Sequence, residues 1–183
     1  MTETKDHTPE FSRPISLAKI AGTAATYRIS ANEAERAALA RRFDLVTLDR
    51  LEAEVRLWRV AGDIRLEADL AADLVQSCVV TMEPVPAAIA EGFTLCYRPG
   101  IDEDEADRLA LENPEDEIIE PLIGESIDIG EAVAQQLSVA MDPYPRAADA
   151  SSADAEFVIG DAAEAPLKPR NPFDALAALK SQR

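Results

Sequence analysis

Two seven-residue alternations, joined by a tight connection, constrain this chain more than anything else in it. In Leu51 to Leu57 the residues Leu51, Ala53, Val55 and Leu57 alternate with Glu52, Glu54 and Arg56. In Ile64 to Leu70 the residues Ile64, Leu66, Ala68 and Leu70 alternate with Arg65, Glu67 and Asp69. A period of two puts every apolar side chain on one face of an extended strand and every charge on the other, so both segments read as strands half buried against a core. Ala61-Gly62-Asp63 lies between them, and the spacing predicts a hairpin whose first strand spans Leu45 to Val60. A further apolar run, Val75 to Met82, stops at Glu83-Pro84-Val85-Pro86, where two prolines remove backbone donors and should make the ladder pause or turn. Ile89 to Tyr97 then predicts another strand, closed by Pro99-Gly100. A hairpin centred near Ala87 would bring Cys78 and Cys96 roughly opposite one another.

Around this sheet the chain offers two helices. Ile15 to Ile20 and Ala25 to Ile29 read as short strands separated by a turn at Gly22. Ser30 with Glu33 three residues on has the capping-box spacing, which predicts a helix to Phe43 anchored on the core by Leu39 and Phe43. The second helix is predicted over Ile129 to Met141, with Val133, Leu137 and Met141 at i, i+4 and i+8 as its buried stripe and Asp142-Pro143-Tyr144-Pro145 as its stop. The fold expected is therefore α+β: a mainly antiparallel sheet of hairpins in a meander, open or rolled toward a barrel, with two packed helices. Residues 1–10 are expected to be disordered, residues 11–145 to form one domain, and residues 146–183 to be a flexible tail ending in a short amphipathic helix near Pro172 to Lys180.

Charge is placed unevenly. Residues 1–65 carry eleven Lys/Arg and ten Asp/Glu, whereas residues 102–131 carry thirteen acids and Arg108 as the sole base. The net charge of −17 thus belongs mostly to the second half. Such a surface repels phosphate backbones on average, so any RNA contact must be local and must use the arginines of the first half. The candidates are Arg36, Arg41 and Arg42 on the first helix and Arg56, Arg59 and Arg65 around the first hairpin. A basic protein partner meets no such objection, and the acidic segment holding Asp102, Asp104, Glu115, Asp116 and Glu117 is the candidate surface for it. That segment reads as a loop with at most a helical turn around Ala106 to Leu111. Its D-x-D spacing suggests a calcium loop, but Asp107 stands where the turn glycine is needed and Asn113 where the bidentate glutamate is needed.

Catalytic patterns are missing. His7 is the only histidine, which removes His-based triads and His-rich metal sites from the body of the chain, and neither a P-loop nor a G-x-S-x-G is present. The expectation is a protein that is not an enzyme and needs no cofactor and no metal. Two cysteines, no apolar run near the roughly 20 residues of a membrane span, and no leader pattern predict a cytoplasmic chain without a structural disulfide and without a membrane partner.

Several segments together resemble the YceD-like proteins of bacteria and chloroplasts. They are C-V-V-T-M-E-P-V at Cys78 to Val85, E-G-F-T-L-C-Y-R-P at Glu91 to Pro99, E-D-E-I-I-E-P-L at Glu115 to Leu122, I-D-I-G-E-A-V-A-Q-Q-L at Ile127 to Leu137, and N-P-F-D-A-L-A-A-L-K at Asn171 to Lys180. The resemblance implies a ribosome-biogenesis factor that supports accumulation or processing of large-subunit (23S) rRNA. Its partner would be that rRNA or its precursor, contacted directly or indirectly, or a basic ribosomal protein held by the acidic segment. Many such proteins have C-x-x-C where this chain has Cys78-Val79-Val80-Thr81, so Cys78 reads here as a buried strand residue.

Overall fold

The computed structural model describes residues 9–112 and 118–150. Its centre is a five-stranded sheet in the order β2-β3-β4-β5-β6, made of β2 (Ala25–Ser30), β3 (Thr47–Val60), β4 (Asp63–Ser77), β5 (Pro84–Arg98) and β6 (Ile118–Pro121). The first four strands run antiparallel in chain order. β6 instead lies parallel to β5, pairing Leu95 with Ile118 and Arg98 with Pro121, because helix α2 (Glu103–Glu112) carries the chain back between them; parallel neighbours require such a crossover. β1 (Pro14–Ser16) pairs antiparallel with β7 (Ser126–Asp128) as a separate two-stranded ribbon. The sheet is open and mainly antiparallel, so of the two sheet forms the sequence allowed, the barrel is not formed.

The alternation decides which face is buried. Leu51, Val55, Leu57, Ile64, Leu66, Leu70, Ala72 and Leu74 are buried on the inner face, together with Leu39 of α1 (Glu33–Arg42), Val133 and Leu137 of α3 (Ile129–Ala140), and Phe11. Each fully buried Leu, Ile or Phe contributes about 1.5–3 kcal/mol. The outer face carries Arg28, Glu52, Glu54, Arg56, Arg65, Glu67, Asp69 and Asp73, the residues half a period away.

Several boundaries differ from those the residues alone suggested, each for a local reason. β3 and β4 join through Ala61 and Gly62 alone, with φ of 52° and 100°, the paired left-handed conformation that continues the twist of a hairpin. α1 is capped by Asn32 instead of Ser30: the Asn32 side chain accepts from Glu35 N and Glu35 reaches back to Asn32 N, since Ser30 is still bound in β2 opposite Glu52. Ile15 to Ile20 is a strand only to Ser16 and continues as a 3-10 turn, Leu17–Lys19. Residues 103–112 are a full helix, not a loop, because Asp102 caps it by accepting from Glu105 N at 2.9 Å and three acids in the first turn suit the positive end of the helix dipole.

The largest correction concerns the second hairpin. β4 continues to Ser77 and turns over Cys78 to Glu83, so Ser77 faces Pro84 and Cys96 faces Arg65. The prolines do not interrupt the ladder. Cys78 N donates to Glu83 O, which sets the hydrogen-bonded register so that Pro84 and Pro86 direct their missing N–H away from β4, toward the sheet edge. Cys78 and Cys96 consequently sit at opposite ends of β4, thirteen residues apart in register, roughly 40 Å along the strand. The expected tail helix at Pro172 to Lys180 lies outside the described residues.

Candidate functional site

The six arginines do not share one surface. α1 packs on the inner side of the sheet through Leu39 and Ala40, leaving Arg36, Arg41 and Arg42 on its remaining faces. Arg36 Nη1 donates to Ala31 O at 2.8 Å. Arg42 is a surface strut between elements: it forks on Glu131 of α3 at 2.8 and 3.0 Å and also reaches Glu10 at 3.0 Å, and these carboxylates, Glu131 first, hold its guanidinium well above its ordinary range. Arg41 is exposed and has no ion-pair partner among the described residues. Arg56 and Arg65 stand on the opposite, outer face of the sheet, where Arg56 is ion-paired with its cross-strand neighbour Glu67 and Arg65 faces the half-buried Trp58. Arg59 turns back to the chain, Nη2 donating to Leu17 O at 3.3 Å.

The outer sheet face matches acids with bases. Besides Arg56–Glu67, Arg28 pairs with Glu54, and Arg50 bridges Asp73 and Glu52. Exposed pairs of this kind contribute only about 0–1 kcal/mol each.

The acidic surface is different. Asp102 and Asp104 lie at the start of α2 beside Glu103 and Glu105, with Arg108 bonded to Glu105 at 3.4 Å as the local base. Glu120 on β6 is half buried near Asp107 and Glu103; burial first, then those carboxylates, raise its pKa above the ordinary value. Glu115, Asp116 and Glu117 lie outside the described residues.

Two features escaped the reading of the residues. The first is a latch at Asp128, the cap of α3. One carboxylate oxygen accepts from Arg13 N at 2.7 Å, Gly130 N at 3.0 Å and Glu131 N at 3.2 Å, and the other accepts from Ser12 Oγ at 2.5 Å. The N-terminal segment crosses so close to α3 that a Cβ on Gly130 would stand 2.4 Å from Phe11 O, which explains the glycine in I-D-I-G. Arg13 then forks on Glu35 of α1 at 2.7 and 3.0 Å. The signal was present as Asp followed by two residues and a helix pattern, but the long-range partner was not.

The second is the environment of Cys78, which lies in the turn after β4 instead of within a strand. Its Sγ accepts from Val80 N and Thr81 N at 3.4 Å and from Ala147 N at 3.3 Å, and Val79 N donates to Pro145 O. The turn and the segment after α3 are thereby tied together through sulfur. Thr81's side chain and then the Ala147 and Thr81 amides pull the thiol down to about 6. The sulfur is screened from water by a thin turn, so the aligned N–H groups outweigh the cost of covering it. Cys96 is buried at the other end, near Asp63 and Arg98.

No curated protein and no solved structure matches the chain. A family model described as "Large ribosomal RNA subunit accumulation protein YceD" matches residues 66–180, a span that opens in β4, includes β5, α2, β6 and α3, and starts after the last of the six arginines. With more than half its length so matched, and with the quoted segments lying inside or across that span, this chain belongs to the YceD family, whose role is in accumulation of the large-subunit ribosomal RNA.

Proposed function

We propose that the chain supports large-subunit (23S) rRNA accumulation without catalysing a reaction, by holding a basic protein of the large subunit against its acidic surface. The observation that carries this reading is the placement of charge. The acids Asp102 and Asp104, with Glu103, Glu105 and Asp107, stand exposed or half-buried on α2 with one local base, inside the matched span, whereas all six candidate arginines precede it. Complementary charge speeds encounter and selects partners. The effect on rRNA would then be indirect. A tagged pull-down with in-cell UV crosslinking tests this. Recovery of a basic ribosomal protein, released when Asp102, Asp104, Glu115 and Glu117 are changed to their amides, is the expected result. A protein content unchanged by those substitutions would refute it.

One observation favours direct contact with rRNA or its precursor as a second reading: Arg41, with Arg36 beside it, is exposed and without an ion-pair partner among the described residues. Crosslinks ending on α1, and a flatter salt dependence of RNA binding in Arg36→Glu with Arg41→Glu, would establish it. Arg42 is left intact in that experiment because its reversal would break the strut to Glu131.

A further inference from the structure

Among the described residues, the sheet has one long edge with no strand paired to it. β6 covers β5 only at Leu95–Arg98, while β5 begins at Pro84, so from Pro84 to Thr94 the strand has β4 on one side and, among the described residues, no strand on the other. The register says which groups face that side. With Cys78 N bonded to Glu83 O, the hydrogen-bonded positions of β5 are Val85, Ala87, Ile89, Glu91 and Phe93, and the backbone groups of Pro84, Pro86, Ala88, Ala90, Gly92 and Thr94 point outward. The prolines offer no N–H there. Ala88, Ala90 and Gly92 offer both N–H and C=O and are exposed.

Proteins ordinarily guard such an edge with lysines, bulges or a covering element. Beyond Pro86 this edge has no proline, lysine or bulge, and Glu91 is its one charge: it reads Ala87-Ala88-Ile89-Ala90-Glu91-Gly92-Phe93-Thr94, with small outward residues and an unbroken register against β4. Its surroundings are acidic. Glu91 is exposed on one face of the strand. On the other face Asp69 stands opposite Gly92, and a Cβ at Gly92 would lie 3.2 Å from Asp69 Oδ1, so the missing side chain leaves that carboxylate reachable from the edge.

We propose that the β5 edge from Ala88 to Thr94 takes an extended, basic peptide segment as an added strand. Main-chain bonds to Ala88, Ala90 and Gly92 would hold it, and its alternate Lys or Arg side chains, which share one face of the added strand, would reach Asp69 on the outer face. Seven residues span roughly 23 Å, room for two or three outward pairs. This deepens the preceding reading and rests on it for the identity of the partner, a basic ribosomal protein.

Ala90→Pro in the full chain removes one outward N–H and costs the β4 ladder nothing, since Pro86 already occupies the same register parity. The probe is a fluorescein-labelled nine-residue peptide of alternating lysine and valine, followed by anisotropy. The proposal expects binding that weakens at least tenfold in Ala90→Pro and in Ala88→Pro and stays within about twofold in Ala90→Ser. It also expects none for the peptide N-methylated at alternate residues, and slowed exchange of the Ala88 and Gly92 amides. Equal binding to wild type and the proline variants, equal binding of the N-methylated peptide, or no binding at all overturns it. So does sedimentation showing that the edge pairs with a second copy of this chain. The N-methylated arm uses the wild-type chain and stands even if a proline variant unfolds. Because the assay contains no ribosomal component, its failure is read separately from loss of the ribosomal protein in the pull-down.

Discussion

Asp128→Ala should be among the most damaging single changes at a partly exposed position. The carboxylate accepts four hydrogen bonds, two that cap α3 and two that hold Ser12 and Arg13. Loss of a helix cap costs about 1 kcal/mol. Each charge-assisted bond to the N-terminal segment adds about 1.5 kcal/mol or less at this partial burial, which brings the total to about 3 kcal/mol. Near this chain length each kcal/mol moves the melting midpoint by about 2–4 °C, so Asp128→Ala should melt about 6–12 °C below wild type, with an unchanged m-value in urea. Asp128→Asn keeps an acceptor for the α3 amides but not a charge for Ser12 and Arg13, and should lose about half as much. Combining Asp128→Ala with Ser12→Ala should give less than the sum of the two losses, since both remove one bond. An alanine variant melting within 2 °C of wild type, or an asparagine variant as unstable as alanine, would refute the latch.

Three further outcomes follow from single positions. Gly130→Ala forces a methyl against the Phe11 carbonyl; it should destabilise by about 1–3 kcal/mol and increase exchange of the Arg13 amide, whereas Gly22→Ala, with 3.8 Å to its nearest neighbour, should be close to neutral in the same melt. Ala61 holds φ of 52° in a two-residue hairpin, a conformation asparagine tolerates better, so Ala61→Asn should stabilise by about 0.5–1 kcal/mol in urea titration. For Cys78 the thiol pKa falls from 9.0 unfolded to about 6 folded, so the folded state releases its proton first. The added stability is fully present above pH 9, is lost as pH falls through about 6, and should appear as a rise in urea midpoint between those values that Cys78→Ala abolishes.

Period-two alternation made most of the sheet legible, because Leu51 to Leu57 and Ile64 to Leu70 leave only one way to bury their apolar sets. The α3 stripe was legible for the same reason. What failed was decided by partners distant in sequence. Proline at 84 and 86 looked like a break, and only the register against β4 shows that both missing donors face outward. Ser30 and Asn32 both offer a side-chain acceptor before the helix, and the ladder to β3 takes Ser30 out of contention. The acids of α2 resembled a solvated loop since its apolar face is short, Ala106 and Leu109 among the described residues, and its start is set by the Asp102 cap and by acids suited to the helix dipole. At the candidate surfaces, the arginines were visible as residues, but Arg42's commitment to Glu131 could not be read from positions 89 apart.

These outcomes bear on where an acidic chain can meet a highly charged assembly. Ion pairing matches acids with bases on the outer sheet face, and Arg42 is committed to Glu131 and Glu10 of its own chain. Among the described residues, uncompensated negative charge stands at α2 and along the β5 edge. Both lie in the span shared with the family. Within a Debye length of about 8 Å at physiological salt, an incoming polycation is attracted at either place while an RNA phosphate is repelled. A basic segment drawn to α2 would then find unfilled backbone donors and acceptors at Ala88 to Gly92, converting a salt-sensitive encounter into directional bonds that salt does not screen. Raising salt should therefore slow association of the lysine–valine peptide much more than it speeds its release; a release rate that climbs in step with salt would mean that charge alone holds it, and the strand-addition argument would fail.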